Sequence, residues 1–119
     1  MATVLVIDDE EALRSVICKR LNLEGHQTLS YHDAGPALAE VDLATIDLVI
    51  VDLVMPTPGE KAVQTIREQG FDMPIVVLSG HLKPGDDERL QGLGVEKVLS
   101  KPFRLMGLLT NIEPYLTGK

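Results

Sequence analysis

The chain is poor in groups that make covalent or metal cross-links. Its single cysteine, Cys18, excludes an internal disulfide and leaves no cysteine cluster for zinc. So little cysteine fits a reducing compartment, and a cytoplasmic location is expected. Long apolar runs are missing too, with none near the roughly 18 residues of a membrane span. Met1-Ala2-Thr3 leads straight into a short apolar run that stops at acid, unlike a secretory leader. Positive charge is scarce: 11 Lys and Arg stand against 18 Asp and Glu, for a net charge of -7. Nucleic-acid affinity comes largely from Lys and Arg displacing counterions, so no direct nucleic-acid binding by this chain is expected. The same shortage argues against an anionic membrane surface. Gly92-Leu93-Gly94 opens neither a Walker nor a Rossmann loop. Linkers, repeats and low-complexity segments are absent, and 119 residues suit one domain, residues 1–119.

What is present is an alternation of short β-rich runs and helical patterns. Val4-Leu5-Val6-Ile7 reads as a strand buried on both faces and ends at Asp8-Asp9. A helix follows from about Glu10 to Leu23, with Leu13, Val16, Ile17 and Leu21 at helical spacing and Gly25 ending it. Gln27 to Tyr31 reads as a second strand and Asp33 to Glu40 as a second helix, with Asp33 as N-cap and Pro36 in the first turn. Leu48-Val49-Ile50-Val51 is the third strand and ends at Asp52. Pro56, Pro58 and Gly59 mark a loop before a third helix, Glu60 to Gln69. Pro74-Ile75-Val76-Val77-Leu78 is the fourth strand, ending at Ser79-Gly80. The fourth helix, about Asp86 to Leu93, has few apolar positions, chiefly Leu90 and Leu93. Val98-Leu99 lies in a short fifth strand ending at Ser100-Lys101-Pro102. The last helix runs from about Phe103 to Leu116, its stripe being Leu105, Leu108, Leu109, Ile112 and Leu116.

Five βα units imply an α/β fold, a five-stranded parallel sheet with helices on both faces. Five are too few for an eight-fold barrel. A doubly wound, flavodoxin-like (βα)5 sheet with strand order 2-1-3-4-5 is expected. In such sheets, sites form beyond the carboxyl ends of the strands. Here those ends carry Asp8-Asp9, Asp52, Ser79 and Lys101. Carboxylates crowded at one edge repel, and a divalent cation relieves them; oxygen ligands suit Mg²⁺ or Mn²⁺. A lysine and a hydroxyl beside them can hold a phosphoryl oxygen. A carboxylate can itself be the nucleophile in phosphoryl transfer. Bland roles compete with these: acids after a strand also cap helices, and lone lysines are usually solvated.

The motifs Val6-Ile7-Asp8-Asp9-Glu10, Asp52-Leu53-Val54-Met55-Pro56, Pro74-Ile75-Val76-Val77-Leu78-Ser79-Gly80 and Ser100-Lys101-Pro102-Phe103 occur in order across the whole chain. Together they resemble the response-regulator receiver domain of two-component signalling, the CheY-like superfamily. The resemblance implies that Asp52 is the phosphoacceptor. Asp9 would ligate Mg²⁺ directly, Asp8 would help through water, and the Val54 backbone carbonyl would be a further ligand. Lys101 would neutralise the phosphoryl group and Pro102 would hold its geometry. Ser79 would swing toward the new phosphate, and Gly80 would keep it accessible. The implied donor is a histidine kinase or histidine phosphotransfer protein. The implied output is a surface of the fourth helix, fifth strand and fifth helix, read by a downstream protein target, an output domain outside this chain, or a second copy in a homodimer. As a receiver it is expected to catalyse only its own phosphorylation and dephosphorylation.

The sequence departs from the family pattern in places. Val98 stands where an aromatic ring is usual, so no ring can couple to Ser79. The loop Thr57-Pro58-Gly59 is about one residue short and carries a second proline. His81 and Val54 occupy the variable positions that tune hydrolysis, and His81 could shield the phosphate or orient water. Two other readings remain open: a pseudo-receiver with a vestigial site, and an aspartyl-nucleophile phosphohydrolase of the haloacid-dehalogenase type. The latter wants a second acid where this chain has Val54.

Overall fold

A computed structural model describes residues 2–80, 82–101 and 104–117. Among them the apolar runs form five parallel strands: β1 (Thr3–Ile7), β2 (Gln27–Tyr31), β3 (Leu48–Asp52), β4 (Ile75–Ser79) and β5 (Lys97–Ser100). They lie in the order β2-β1-β3-β4-β5, as the alternation predicts. The connections are α1 (Glu11–Leu23), α2 (Ala34–Glu40), α3 (Gly59–Glu68) and α4 (Asp86–Gly92), and α5 (Leu105–Thr117) follows β5. No described helix is long and apolar enough to cross a membrane.

The continuous apolar runs exist because the central strands are covered on both sides. Leu5, Ile7, Val49, Val51, Ile75 and Val77 face one layer, where Ala34, Ala37, Ala62, Val63, Ile66 and Leu90 from α2, α3 and α4 meet them. Their neighbours Val4, Val6, Leu48, Ile50, Val76 and Leu78 face the other, packed by Ile17 and Leu21 of α1 and by Leu108, Leu109, Ile112 and Leu116 of α5. The period of two along each strand thus divides one apolar run between two cores.

Several local expectations need correction. Val16 belongs to the helical repeat but is 47% exposed, because α1 buries only the narrow stripe of Ile17 and Leu21. Pro74 precedes β4 rather than opening it: it has no amide hydrogen, and its carbonyl accepts from the Val49 N–H at 3.0 Å. A 3₁₀ turn at Leu43–Thr45, started by Asp42 accepting from the Ala44 N–H, was not anticipated. Asp33 occupies the N-cap position of α2 but makes no capping bond there. The described part of the last helix starts at Leu105, and Phe103 lies outside the described residues.

Candidate functional site

β1 ends at Ile7, and the Asp8 N–H still extends the ladder to the Tyr31 carbonyl at 3.1 Å. Asp8 is fully buried, and its Oδ1 accepts from the Glu10 N–H at 2.8 Å, turning the chain toward α1. The Arg14 guanidinium donates to the Asp8 carbonyl at 2.7 Å and to Ser30 Oγ at 2.7 Å, fixing this corner against β2. Asp52 closes β3 next door, 5% exposed, with its Oδ1 at 3.4 Å from the Val54 N–H. Ser79 closes β4 and is fully buried, and its carbonyl accepts from the Lys101 N–H at 2.7 Å. That bond sets Lys101 beside the end of β4.

Lys101 draws the corner together. Its Nζ lies 3.2 Å from Asp8 Oδ2, 2.7 Å from Glu10 Oε1 and 3.3 Å from Asp52 Oδ2. Burial works against the ammonium, but the Glu10 hydrogen bond and the charges of Asp8 and Asp52 outweigh it, so its pKa rises and the lysine stays cationic. Asp52 moves the other way from a salt-bridged acid. Burial and the Asp8 charge raise its pKa, and the Lys101 ammonium and the Val54 amide offset them only in part. Three carboxylates, those of the buried Asp8 and Asp52 and of the exposed Glu10, share one ammonium.

Of the residues singled out by sequence, Asp8, Asp52 and Lys101 are in mutual contact, and Ser79 adjoins them through its backbone. Gly80 follows β4, where an added Cβ would meet Lys101 Cβ at 3.7 Å, an ordinary contact. Val54 is adjacent, its side chain 55% exposed. Val98 sits in β5 beside Val77 and packs against the layer that includes α4. Asp9 is exposed and outside the cluster; the acids whose oxygens lie within 4.8 Å of one another are Asp8, Glu10 and Asp52. Pro102 and His81 lie outside the described residues. Glu10 is the residue that sequence reasoning passed over. It was visible as the last acid of the Asp8-Asp9-Glu10 run, but only the tertiary position of Lys101 gives it a partner.

Two buried acids, a lysine and a serine at adjacent parallel strand ends match the receiver motifs in space as well as in order. The family model of the response regulator receiver domain matches residues 4–113. The chain belongs to that family. It is thus a receiver domain of the kind found in response regulators of two-component signalling. The response regulator MprA of Mycobacterium avium is 32% identical over 116 residues, which cover 95% of this chain and 50% of MprA. The chain spans about half the length of such curated relatives. Among solved structures, the chemotaxis protein CheY4 of Vibrio cholerae superposes with a TM-score of 0.87 at 30% identity, covering 98% of this chain and 99% of CheY4. The non-phosphorylated HemR receiver domain from Leptospira biflexa gives a TM-score of 0.87 at 26% identity, with 98% and 95% covered.

Proposed function

We propose that Asp52 accepts a phosphoryl group from a phosphohistidine on a histidine kinase or histidine phosphotransfer protein, in a Mg²⁺- or Mn²⁺-dependent step. A carboxylate oxygen of Asp52 bonds to phosphorus as the P–N bond breaks. The electron pair stays on the imidazole nitrogen, and the product is an acyl phosphate. The observation that carries this reading is the single Lys101 ammonium within hydrogen-bond reach of Asp8, Glu10 and Asp52. Lys101 would pair with the incoming phosphoryl oxygens, and Ser79 would bond one of them.

The donor set fits a hard divalent cation: oxygens only, within 4.8 Å of one another, with excess negative charge. Asp8 and Asp52 would hold it, with the Val54 carbonyl and Asp9 as the family pattern implies and Glu10 as a further candidate. When bound, it supplies charge neutralisation at the phosphoryl oxygens. The chain is proposed to act on no other substrate, catalysing only its own phosphorylation and dephosphorylation. The α4–β5–α5 surface is then offered to a downstream protein, an output domain or a second copy. Val98, which removes the aromatic ring, is the one feature favouring a pseudo-receiver. The intact acid and lysine set favours a working site. The phosphohydrolase reading fails at Val54, whose apolar side chain stands where its second acid is needed.

The test is incubation with acetyl phosphate or phosphoramidate and Mg²⁺, followed by intact mass measurement. A gain of one phosphoryl group that is lost in Asp52→Ala is expected. No gain, or a gain that survives Asp52→Ala, rejects the proposal.

A further inference from the structure

We propose that Asp33 is a positioning residue for the Asp52 site, acting through Thr57 on the loop formed by residues 53–58. The inference rests on the reading of Asp52 as phosphoacceptor. The loop leaves β3 and must turn back into α3 within a few residues. Its ends are fixed by backbone bonds, Leu53 N–H to the Leu78 carbonyl and Gly59 N–H to the Leu53 carbonyl, each 2.9 Å. Its middle cannot be held the same way. Pro56 and Pro58 have no amide hydrogen, so Thr57 carries the only backbone donor between them.

That donor and the Thr57 hydroxyl both go to one carboxylate. Asp33 Oδ1 accepts from the Thr57 N–H at 2.8 Å, and Asp33 Oδ2 from Thr57 Oγ1 at 2.7 Å. Two charge-assisted bonds to one residue fix its orientation as well as its distance. Asp33 stands at the start of α2, where capping its own helix is the local default, yet no capping bond is formed. Its base is rigid, because Ala34 and Ala37 of α2 are fully buried.

The loop carries groups the reaction needs. The Val54 N–H meets Asp52 Oδ1 at 3.4 Å, long for a hydrogen bond, so a small loop displacement decides whether it forms. The Val54 carbonyl is the backbone ligand the family pattern implies. Met55 is buried on one side of Pro56, and the Asp33 clamp holds the other. Asp33 thus sets the placement of Val54 from another chain segment without touching the reacting atoms.

The experiment compares the full chain with Thr57→Val, Thr57→Ser and Asp33→Ala. Two quantities are read: the Mg²⁺ concentration giving half-maximal phosphorylation by phosphoramidate, set against the maximal rate, and hydrogen exchange at the Val54 amide in metal-free protein. Asp33→Ala is expected to raise the half-maximal Mg²⁺ concentration roughly tenfold, with a smaller change in maximal rate, as for other residues that orient metal ligands. Thr57→Val should do the same to a lesser degree, and both should speed Val54 exchange. Thr57→Ser, which keeps the hydroxyl, should restore both quantities. If Asp33→Ala does not fold, Thr57→Val and Thr57→Ser decide alone. Variants that match the wild type in both quantities, or a serine variant as impaired as the valine one, overturn this inference and leave Asp52 as acceptor intact. A wild-type chain that takes no phosphoryl group overturns both.

Discussion

Gly59 packs directly on the backbone of Asp52. A Cβ built at Gly59 would collide with the Asp52 carbonyl oxygen and would lie 2.9 Å from its carbon. The obstacle is main chain in a buried strand, so no side chain can swing away to make room. Gly59→Ala is therefore expected to destabilise the fold by about 3 kcal/mol, the upper range for overpacking. Urea denaturation should show a lower midpoint at unchanged slope. Gly80→Ala is the control on the other side of the site. Its Cβ would make an ordinary 3.7 Å contact with Lys101 Cβ, and stability should stay within about 1 kcal/mol of wild type. Equal stability for the two alanine variants would contradict the close approach.

Asp52 contributes to stability with the sign of a group poised for chemistry rather than for holding the fold together. Its folded-state pKa is raised, so the folded state binds the proton more tightly than the unfolded chain does. That contribution is present below the unfolded carboxylate range and is lost as pH rises through the folded value. At neutral pH the buried charge beside Asp8 is a cost. Asp52→Asn should raise stability at pH 7 by about 1 kcal/mol, a few degrees in Tm, while Lys101 keeps Asp8 and Glu10. The gain should shrink as pH falls through the raised folded value and be gone below the unfolded carboxylate value of about 3.9. Thermal melts from pH 3 to 8 test this, and a variant less stable than wild type at pH 7 would refute it.

The parts of this molecule legible in its sequence are those set by runs and their ends. Leu48 to Val51 is apolar at every position because both faces are covered, and the next residue, Asp52, is polar because the strand stops there. The sheet order and the meeting of Asp8, Asp52 and Lys101 follow from repeating that pattern. The illegible parts are set by partners far away in sequence. Asp33 obeys the N-cap rule in position but not in bonding, because Thr57, 24 residues on, offers two donors. Glu10 looks like any first-turn acid until Lys101 arrives. Gly59 reads as a loop glycine, and only the turn of residues 53–58 brings it onto Asp52. Val16 fits a helical stripe that α1 turns out to bury only in part.

Asp33 gives a pH dependence opposite to that of Asp52. Burial pushes its carboxyl up, but the bonds from the Thr57 amide and hydroxyl bring the net pKa below the usual carboxylate value. Its stabilisation is present above the unfolded pKa of about 3.9 and is lost as pH falls through the lower folded value. Asp33→Asn should cost about 1 kcal/mol at pH 7, and the gap to wild type should close in acid. Urea midpoints at pH 7 and pH 3 check this; a gap that widens at pH 3 would reverse the assigned sign.

The two ends of α4 are held by bonds of different strength, which predicts where the domain gives way. At the carboxyl end the Arg67 guanidinium reaches the carbonyls of Phe71 and Met73 at 2.8 Å and of Gly94 at 2.7 Å, tying α3 to the turn before β5. An ammonium cannot span three carbonyls, so even Arg67→Lys should lose about 2 kcal/mol of global stability. At the amino end the Arg89 guanidinium meets Glu60 at 2.8 Å and Asp86 at 2.6 Å, but Arg89 is 47% exposed. Exposed pairs contribute little, so Arg89→Ala should cost under about 1 kcal/mol. Leu90 is the one residue of α4 that is buried, leaving few other contacts to resist opening. Arg89→Ala should therefore speed hydrogen exchange in α4 while leaving β3 and β4 protected, whereas Arg67→Lys should speed exchange throughout. Exchange confined to α4 in both variants would show that Arg67 serves the helix alone and not the fold.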